Sequence, residues 1–374
     1  MMPAFSHPIF ITKPMLPPLS QLSSGMERVY QSGNVTNMGP MHQELELELR
    51  AVLGGHNLVL YNNGTIALMA ALQALDLPPG SEVITTPFSF AATTHSIKAV
   101  GLQPVFADIE PEHLTLDPVE VRKKITDRTR CILAVHVYGF PCRLDELAAI
   151  AAEHDLRLIY DAAHAFAATV GGRSIADFGD ASVFSFHATK LFNTIEGGAV
   201  STGSLERYDR LKNYRNFGII DEDTVDSVGL NGKMSEVHAL FGLLNLRTYQ
   251  QELSRRRDVR AIYTEELSPV RQVHIPDYPA CVGGSYQYFP IRIEQFRDVI
   301  YHELKRFNVF SRRYFYPLIA DFKPYRHLAP LDSLPEARKA AQDVLCLPFY
   351  GDLADGTARS IAHLVRSIID RHAR

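Results

Sequence analysis

From about Leu45 to Thr202 the chain alternates short apolar runs with stretches of helical periodicity. Seven runs read as strands: "NLVLYN", "SEVITTP", "PVFADI", "CILAVHVYG", "RLIYDAA", "SVFSF" and "GAVST". They are rich in Val, Ile and Tyr, and most are apolar throughout, as suits strands covered on both faces. Between them, "TIALMAALQALDL" and "LDELAAIAAEHDL" repeat apolar residues at helical spacing. Such alternation predicts a three-layer α/β domain with a mostly parallel sheet.

After Gly232 the texture changes. "MSEVHALFGLLNLRTYQQELSRRRDVRAIYTEEL" is long, helical and increasingly charged, and suits a connection between two domains. "YQYFPIRI" alternates like a strand with one wet face, and "FRDVIYHELKRF" and "GTARSIAHLVRSIIDRHAR" read as amphipathic helices. The expected division is a large domain over residues 1–252 and a smaller α+β domain over residues 253–374.

Composition narrows the class. At 46% hydrophobic and 21% charged, the 374 residues suit a soluble protein with a sizeable core. A net charge of −4 supplies no basic field, so nucleic acid is not an expected partner. Cys131, Cys142, Cys281 and Cys346 form no CxxC pair. They predict reduced thiols in a cytoplasmic protein, with no disulfide framework and no metal site. The N-terminal stretch has no basic region followed by an apolar one, and Pro interrupts it five times between Met2 and Leu19, so neither signal peptide nor membrane span is expected.

Four local features carry chemistry. Lys190 stands between two strand-like runs in "SVFSFHATKLFNTIEGGAVST". It is either a solvated loop lysine or a Schiff-base lysine, whose amine needs partial desolvation to be nucleophilic near neutral pH. Asp161 ends the run in "LIYDAAHA", at the strand end where α/β sheets gather ligands. It reads either as a helix cap or as a carboxylate holding a protonated pyridine nitrogen. Nearby His164 is a candidate for a phenolate oxygen, or a satisfied core histidine. In "YNNGTIALMAAL" a strand ends, Asn63, Gly64 and Thr65 turn, and a helix begins. That turn is either simply capped or a phosphate cradle of amides and helix dipole. In "TTPFSFAATTHS" Phe88 or Phe90 is placed to stack on a flat ring, or is merely packed. GxxxxGK[ST] and GxGxxG are both missing, which weakens nucleotide-binding and NAD-dependent readings. Taken in order, the four features make a site for pyridoxal 5'-phosphate: anion cradle, ring stack, ring-nitrogen partner and imine lysine.

At these residues the chain resembles the DegT-type sugar aminotransferases. A Ser-Phe-x-x-x-Lys segment is met by Ser185 to Lys190, and an Asp-x-Ala-(His/Gln)-Ala segment by Asp161 to Ala165. The likeness extends to "EVITTPFSFAATTHSI", "PVFADIEPEHLTLDP" and "VHVYGFPCRLDEL", and runs from about Lys13 to Glu252. It implies the type I aminotransferase fold, with a seven-stranded sheet in the large, cofactor-binding domain. It implies that Lys190 binds the cofactor covalently, that Asp161 holds the ring nitrogen and His164 the ring hydroxyl, and that Phe90 rather than Phe88 stacks on the ring. Gly64, Thr65 and Ser185 would hold the phosphate, completed by Asn231 of a second subunit in a homodimer with shared sites. Lys233 stands where many members have Arg.

"SFHATKLFNTIEGGAV" and "FSRRYFYPL" are similar to one branch, which aminates carbon 4 of dTDP-4-keto-6-deoxyglucose. This implies L-glutamate as donor, and a sugar nucleotide near Arg312, Arg313, Tyr314 or Tyr316; alternatively the two arginines are a surface pair on a strand. The competing readings are amination at carbon 3 or of another nucleotide keto-sugar, a dehydratase of the same fold, and a cofactor-binding regulator without turnover. The dehydratase branch has His where this chain has Lys190.

Overall fold

A computed structural model describes residues 4–54, 57–330 and 332–373. All seven predicted strands form, and all join one sheet. They are β1 (Asn57–Tyr61), β2 (Glu82–Thr85), β3 (Gln103–Phe106), β4 (Thr129–Val135), β5 (Arg157–Asp161), β6 (Ala181–Ser185) and β7 (Gly198–Thr202). Their order across the sheet is β1-β7-β6-β5-β4-β2-β3. The pairs from β6 to β3 are parallel, while β7 runs antiparallel to both of its neighbours.

The unbroken apolar runs are explained by burial on two faces. Leu58, Leu60, Ile132, Leu158 and Phe184 point to one side, where they meet Leu45, Leu147 and Leu240 of three covering helices. Val59, Val83, Leu133, Ile159 and Val183 point to the other, against Leu68, Ile97 and Leu211. The period-2 alternation of a strand thus feeds two cores at once.

The long helical stretch is two helices, Glu236–Leu246 and Tyr249–Leu267, broken at Arg247–Thr248. The first lies wholly in the core on one face of the large sheet, packed on the Leu19–Ser32 and Pro40–Val52 helices. The second starts there, through Tyr249 and Leu253, and ends in another core through Val259, Tyr263 and Leu267. The chain must turn to serve both, and the helix breaks where it does so.

That other core lies around a three-stranded antiparallel sheet of Val273–His274, Phe289–Ile293 and Val344–Leu347. The Arg297–Arg306 and Asp355–His372 helices cover it with Ile300, Ile361 and Val365. The expected wet face of Phe289–Ile293 is not found. Phe289, Ile291 and Ile293 face these helices, while the adjoining Tyr288 enters a cluster with Phe88, Tyr138 and Phe315. The other side of Phe289–Ile293 is covered as well: Pro290 is buried and Arg292 half-buried, and only at the edge strand does His274 stay exposed. The N-terminal segment crosses over to this region, where Ile9–Phe10 pairs with Val309–Phe310.

Candidate active site

A cleft of about 640 Å³ opens at the carboxyl ends of the parallel strands. Lys190, Asp161, His164, Gly64, Thr65, Ser185, Phe90 and Tyr314 all reach its wall.

Lys190 follows β6 in a tight turn, its amide donating to the His187 carbonyl at 2.9 Å. The buried Gln287 pins the backbone on either side. Its Oε1 accepts from the Leu191 amide at 2.9 Å, and its Nε2 donates to the Thr189 carbonyl at 3.0 Å. These bonds fix the backbone from which Lys190 enters the cleft. Burial lowers the Lys190 amine to about 8, against the opposing pull of the Asp161 charge. A lysine so placed is largely freed of its usual proton in mildly basic water, as a nucleophilic amine requires.

Asp161 ends β5. One carboxylate oxygen accepts from the Thr93 hydroxyl at 2.8 Å, and the other from the Ala163 amide at 3.1 Å. Burial raises its carboxyl above the usual range, against Thr93, Ala163 and Lys190, which all favour the charged form. A cationic N–H brought beside it would restore the balance toward the carboxylate.

His164 is held as a neutral donor. Its Nδ1 accepts from the Tyr138 amide at 3.2 Å, which leaves the hydrogen on Nε2. Burial, and then the Lys190 charge, lowers its basicity well below the ordinary value. The ring stacks on Phe315 at 6.1 Å and meets the edge of Tyr288 at 5.3 Å. Such an imidazole suits a phenolate-like oxygen.

The Gly64–Gln73 helix begins at the cleft, its Asn63 cap accepting from the Ile66 amide at 2.9 Å. A Cβ on Gly64 would come within 2.8 Å of the Ser185 Cβ, so glycine lets this helix start lie against the end of β6. A Cβ on Gly198 would meet the backbone of Asn63 at 2.8 Å. The double glycine after Lys190 thus admits close passage of β7 behind the phosphate-type turn.

Phe90 is 63% exposed on the cleft wall, whereas Phe88 is fully buried against Tyr138 and Phe315. Phe90 precedes the Ala91–Ala99 helix that also carries Thr93.

Other predicted site residues lie off this wall. Asn231 is exposed, and its carbonyl accepts from the Asn62 amide group at 3.4 Å. Lys233 bonds Asn216 at 3.2 Å and sits over the Phe217 ring. Arg313 bonds Asp298 at 3.0 Å and lies over the rings of Tyr301 and Tyr316. Arg312 bridges Cys346 through its backbone. Tyr314 is the member of this group that enters the cleft, packed on Tyr288. Sequence reading did not single out Thr93, Gln287, Tyr288, Phe315 or Glu196.

The residues fit a flat phosphorylated pyridine. An amide-rich helix start, an exposed phenyl ring, a buried carboxylate, a neutral imidazole donor and a lysine with a lowered proton affinity converge on one space. Comparison with known proteins decides the matter: the family model described as "DegT/DnrJ/EryC1/StrS aminotransferase family" matches residues 21–366. The chain belongs to that family. It is a pyridoxal-phosphate-dependent sugar aminotransferase.

Two relatives are named dTDP-4-amino-4,6-dideoxy-D-glucose transaminase. That of Shigella dysenteriae is 43% identical over 365 residues, covering 96% of this aminotransferase and 99% of the relative. That of Escherichia coli is 40% identical over 364 residues, covering 95% and 97%. Among solved structures, DesI in the presence of its TDP-sugar product superposes with a TM-score of 0.93 at 35% identity, covering 100% of this chain and 97% of that one. Among the described residues, no helix is long and apolar enough to cross a membrane.

Proposed function

We propose that this aminotransferase moves the amino group of L-glutamate to carbon 4 of dTDP-4-keto-6-deoxyglucose, giving dTDP-4-amino-4,6-dideoxyglucose. The observation that carries the sugar assignment is the 43% identity, over 96% of the chain, to a transaminase named for that product. When bound, pyridoxal phosphate would supply a ring that takes up the electron pair left on carbon when its proton is removed.

The chain's own residues do the rest. Lys190 Nζ would hold the cofactor covalently and, when free, its neutral amine would take up and return the proton moved during transfer. Asp161 holds the ring nitrogen, and His164 Nε2–H donates to the ring oxygen. Gly64, Thr65 and Ser185 hold the phosphate, and Phe90 covers the ring and excludes water. We assign Asn231 and Lys233 to the site of a second copy, because they lie off the wall of their own cleft. The working unit is therefore a homodimer. Tyr314 faces the sugar; Arg312, Arg313 and Tyr316 are assigned to the outer, diphosphate end, where Arg offers forked donors. Residues 1–252 form the cofactor-binding domain and residues 253–374 the smaller one. We place the enzyme in the cytoplasm, where its four free cysteines would stay reduced.

The test is an assay with L-glutamate and candidate nucleotide keto-sugars, with NMR of the product. The expected outcome is amination at carbon 4 with parallel initial-rate lines, as a two-stage transfer requires. Turnover confined to a 3-keto sugar would overturn the assignment.

A further inference from the structure

Among the described residues lining the cleft, the carboxylates are Asp161 and Glu196. Asp161 is committed to Thr93 and Ala163. Glu196 has no such bonds to its carboxylate. Its side chain is 51% exposed, and Oε1 lies 3.6 Å from His187 Nε2, beyond hydrogen-bond length. His187 Nδ1 accepts from the Thr189 amide at 3.2 Å and lies 2.8 Å from that residue's hydroxyl. Nε2 therefore carries the hydrogen, and it faces Glu196. This leaves carboxylate lone pairs open to another donor.

The backbone leading to Glu196 is held firmly. Ile195 has φ 68°, a left-handed conformation that β-branched residues rarely take. Such a residue persists where its surroundings over-determine it, and these places cluster at functional sites. Here Asn193 Oδ1 accepts from the Ile195 amide at 3.2 Å, and the Thr194 hydroxyl donates to the Glu196 carbonyl at 2.8 Å. Asn245 in turn donates to the Asn193 carbonyl at 2.9 Å. Asn193, Thr194 and Asn245 are all buried.

We infer that Glu196, steered by His187, accepts a hydrogen bond from the sugar hydroxyl on carbon 3, next to the reacting carbon. The inference rests on the proposed function and names a group that recognises the hexose. A carboxylate would repel the diphosphate, so on the wall that carries Lys190 it suits the uncharged ring. A hydroxyl donating to a carboxylate makes a charge-assisted bond, and a site built for it discriminates against sugars that lack the group.

The experiment uses the holoenzyme in its pyridoxamine phosphate form, with which the amino sugar cannot exchange its nitrogen. Calorimetry compares dTDP-4-amino-4,6-dideoxyglucose, its 3-deoxy analogue and dTDP. The wild type is expected to prefer the amino-sugar nucleotide over dTDP, and Glu196→Gln to reduce that preference about tenfold, the value of one partly exposed bond to a charged group. Retained dTDP affinity in the variant reports an intact fold. Removing the carbon 3 hydroxyl should weaken the wild type by about the same factor and the variant clearly less, because Gln Oε1 offers only a neutral acceptor. A preference that survives Glu196→Gln, as a mere surface ion pair would give, overturns the inference alone. So does a 3-deoxy penalty equal in both proteins. A wild type with no preference over dTDP overturns the sugar assignment and this inference together.

Discussion

Replacing Lys190 by Met removes the amine while keeping much of the side chain's length. Burial lowers this lysine from 10.5 to about 8. Each tenfold loss of proton affinity corresponds to about 1.4 kcal/mol, so holding the ammonium in the folded chain costs up to roughly 3 kcal/mol at neutral pH. Met carries no such penalty. Taking about 2.1 cal/mol/K of unfolding entropy per residue, cofactor-free Lys190→Met should melt up to about 4 °C above the cofactor-free wild type at pH 7. The sign follows from proton counts. Between about 8 and 10.5 the folded wild type binds fewer protons than the unfolded chain, so its stability rises with pH through that window. The advantage of Met is full below about pH 8 and is lost as the pH climbs to 10.5. Calorimetry at several pH values measures the gap, and the glutamate–keto-sugar assay measures turnover, which should vanish. A variant that melts at or below the wild type at pH 7, or a gap that stays constant to high pH, refutes the claim that the cleft desolvates this amine. Retained turnover refutes its chemical role.

Asp161→Asn keeps hydrogen-bonding atoms for Thr93 and Ala163 and removes a charge that burial disfavours. It should fold at least as stably without cofactor, yet lose about a thousandfold in kcat, since a charge pair at ~4 Å in an effective dielectric of about 20 is worth about 4 kcal/mol. Wild-type kcat would contradict the ring-nitrogen role. Gly198→Ala drives a methyl into the backbone of Asn63 and the Cα of Gly64. It is expected to destabilise the protein by about 1–3 kcal/mol and to weaken cofactor binding, both read in a pyridoxal phosphate titration monitored by melting temperature; an unchanged titration would show that the turn is not set by this contact. Mixing inactive Lys190→Ala subunits with impaired Asn231→Ala subunits should restore activity, because each hybrid then holds one intact site. No gain over the separate proteins would place Asn231 outside its neighbour's cleft.

Much of the architecture is legible in the chain because a strand buried on both faces leaves an unbroken apolar run. Asp161 and Lys190 stand out for the same reason: each is a charged group at or just beyond the end of such a run. Gln287 is invisible in this way. It lies 96 positions from the leucine whose amide it binds, and nothing local marks a glutamine that pins a distant turn. Thr93 reads as an ordinary helix residue until folding sets it beside β5. The wet face expected for Phe289–Ile293 fails because alternation reports what one strand can do, not what a second unit will press against it. The break at Arg247–Thr248 carries no glycine or proline, so periodicity runs straight through it. Ile195 is the opposite of the residue expected in a left-handed turn, and its conformation follows from buried partners rather than from its own preference.

The same burial acts on both charged residues of the site, and in opposite directions. It pushes the Lys190 amine down and the Asp161 carboxyl up, and their mutual attraction only partly offsets it. With only protein groups around them, both are thus drawn toward their neutral forms. With pyridoxal phosphate bound, Lys190 would be held as an imine rather than a buried ammonium, and Asp161 would have a cationic N–H to accept from, so both costs would fall together. Part of the affinity for the cofactor is therefore relief of a penalty built into the cleft, rather than new contact area. It follows that cofactor should stabilise the wild type more than it stabilises Lys190→Met, by more than the loss of one covalent bond's worth of contacts would suggest, and that the excess should shrink in Asp161→Asn. A site that stores such a penalty favours its own loaded form, which is the form that can accept an amino group.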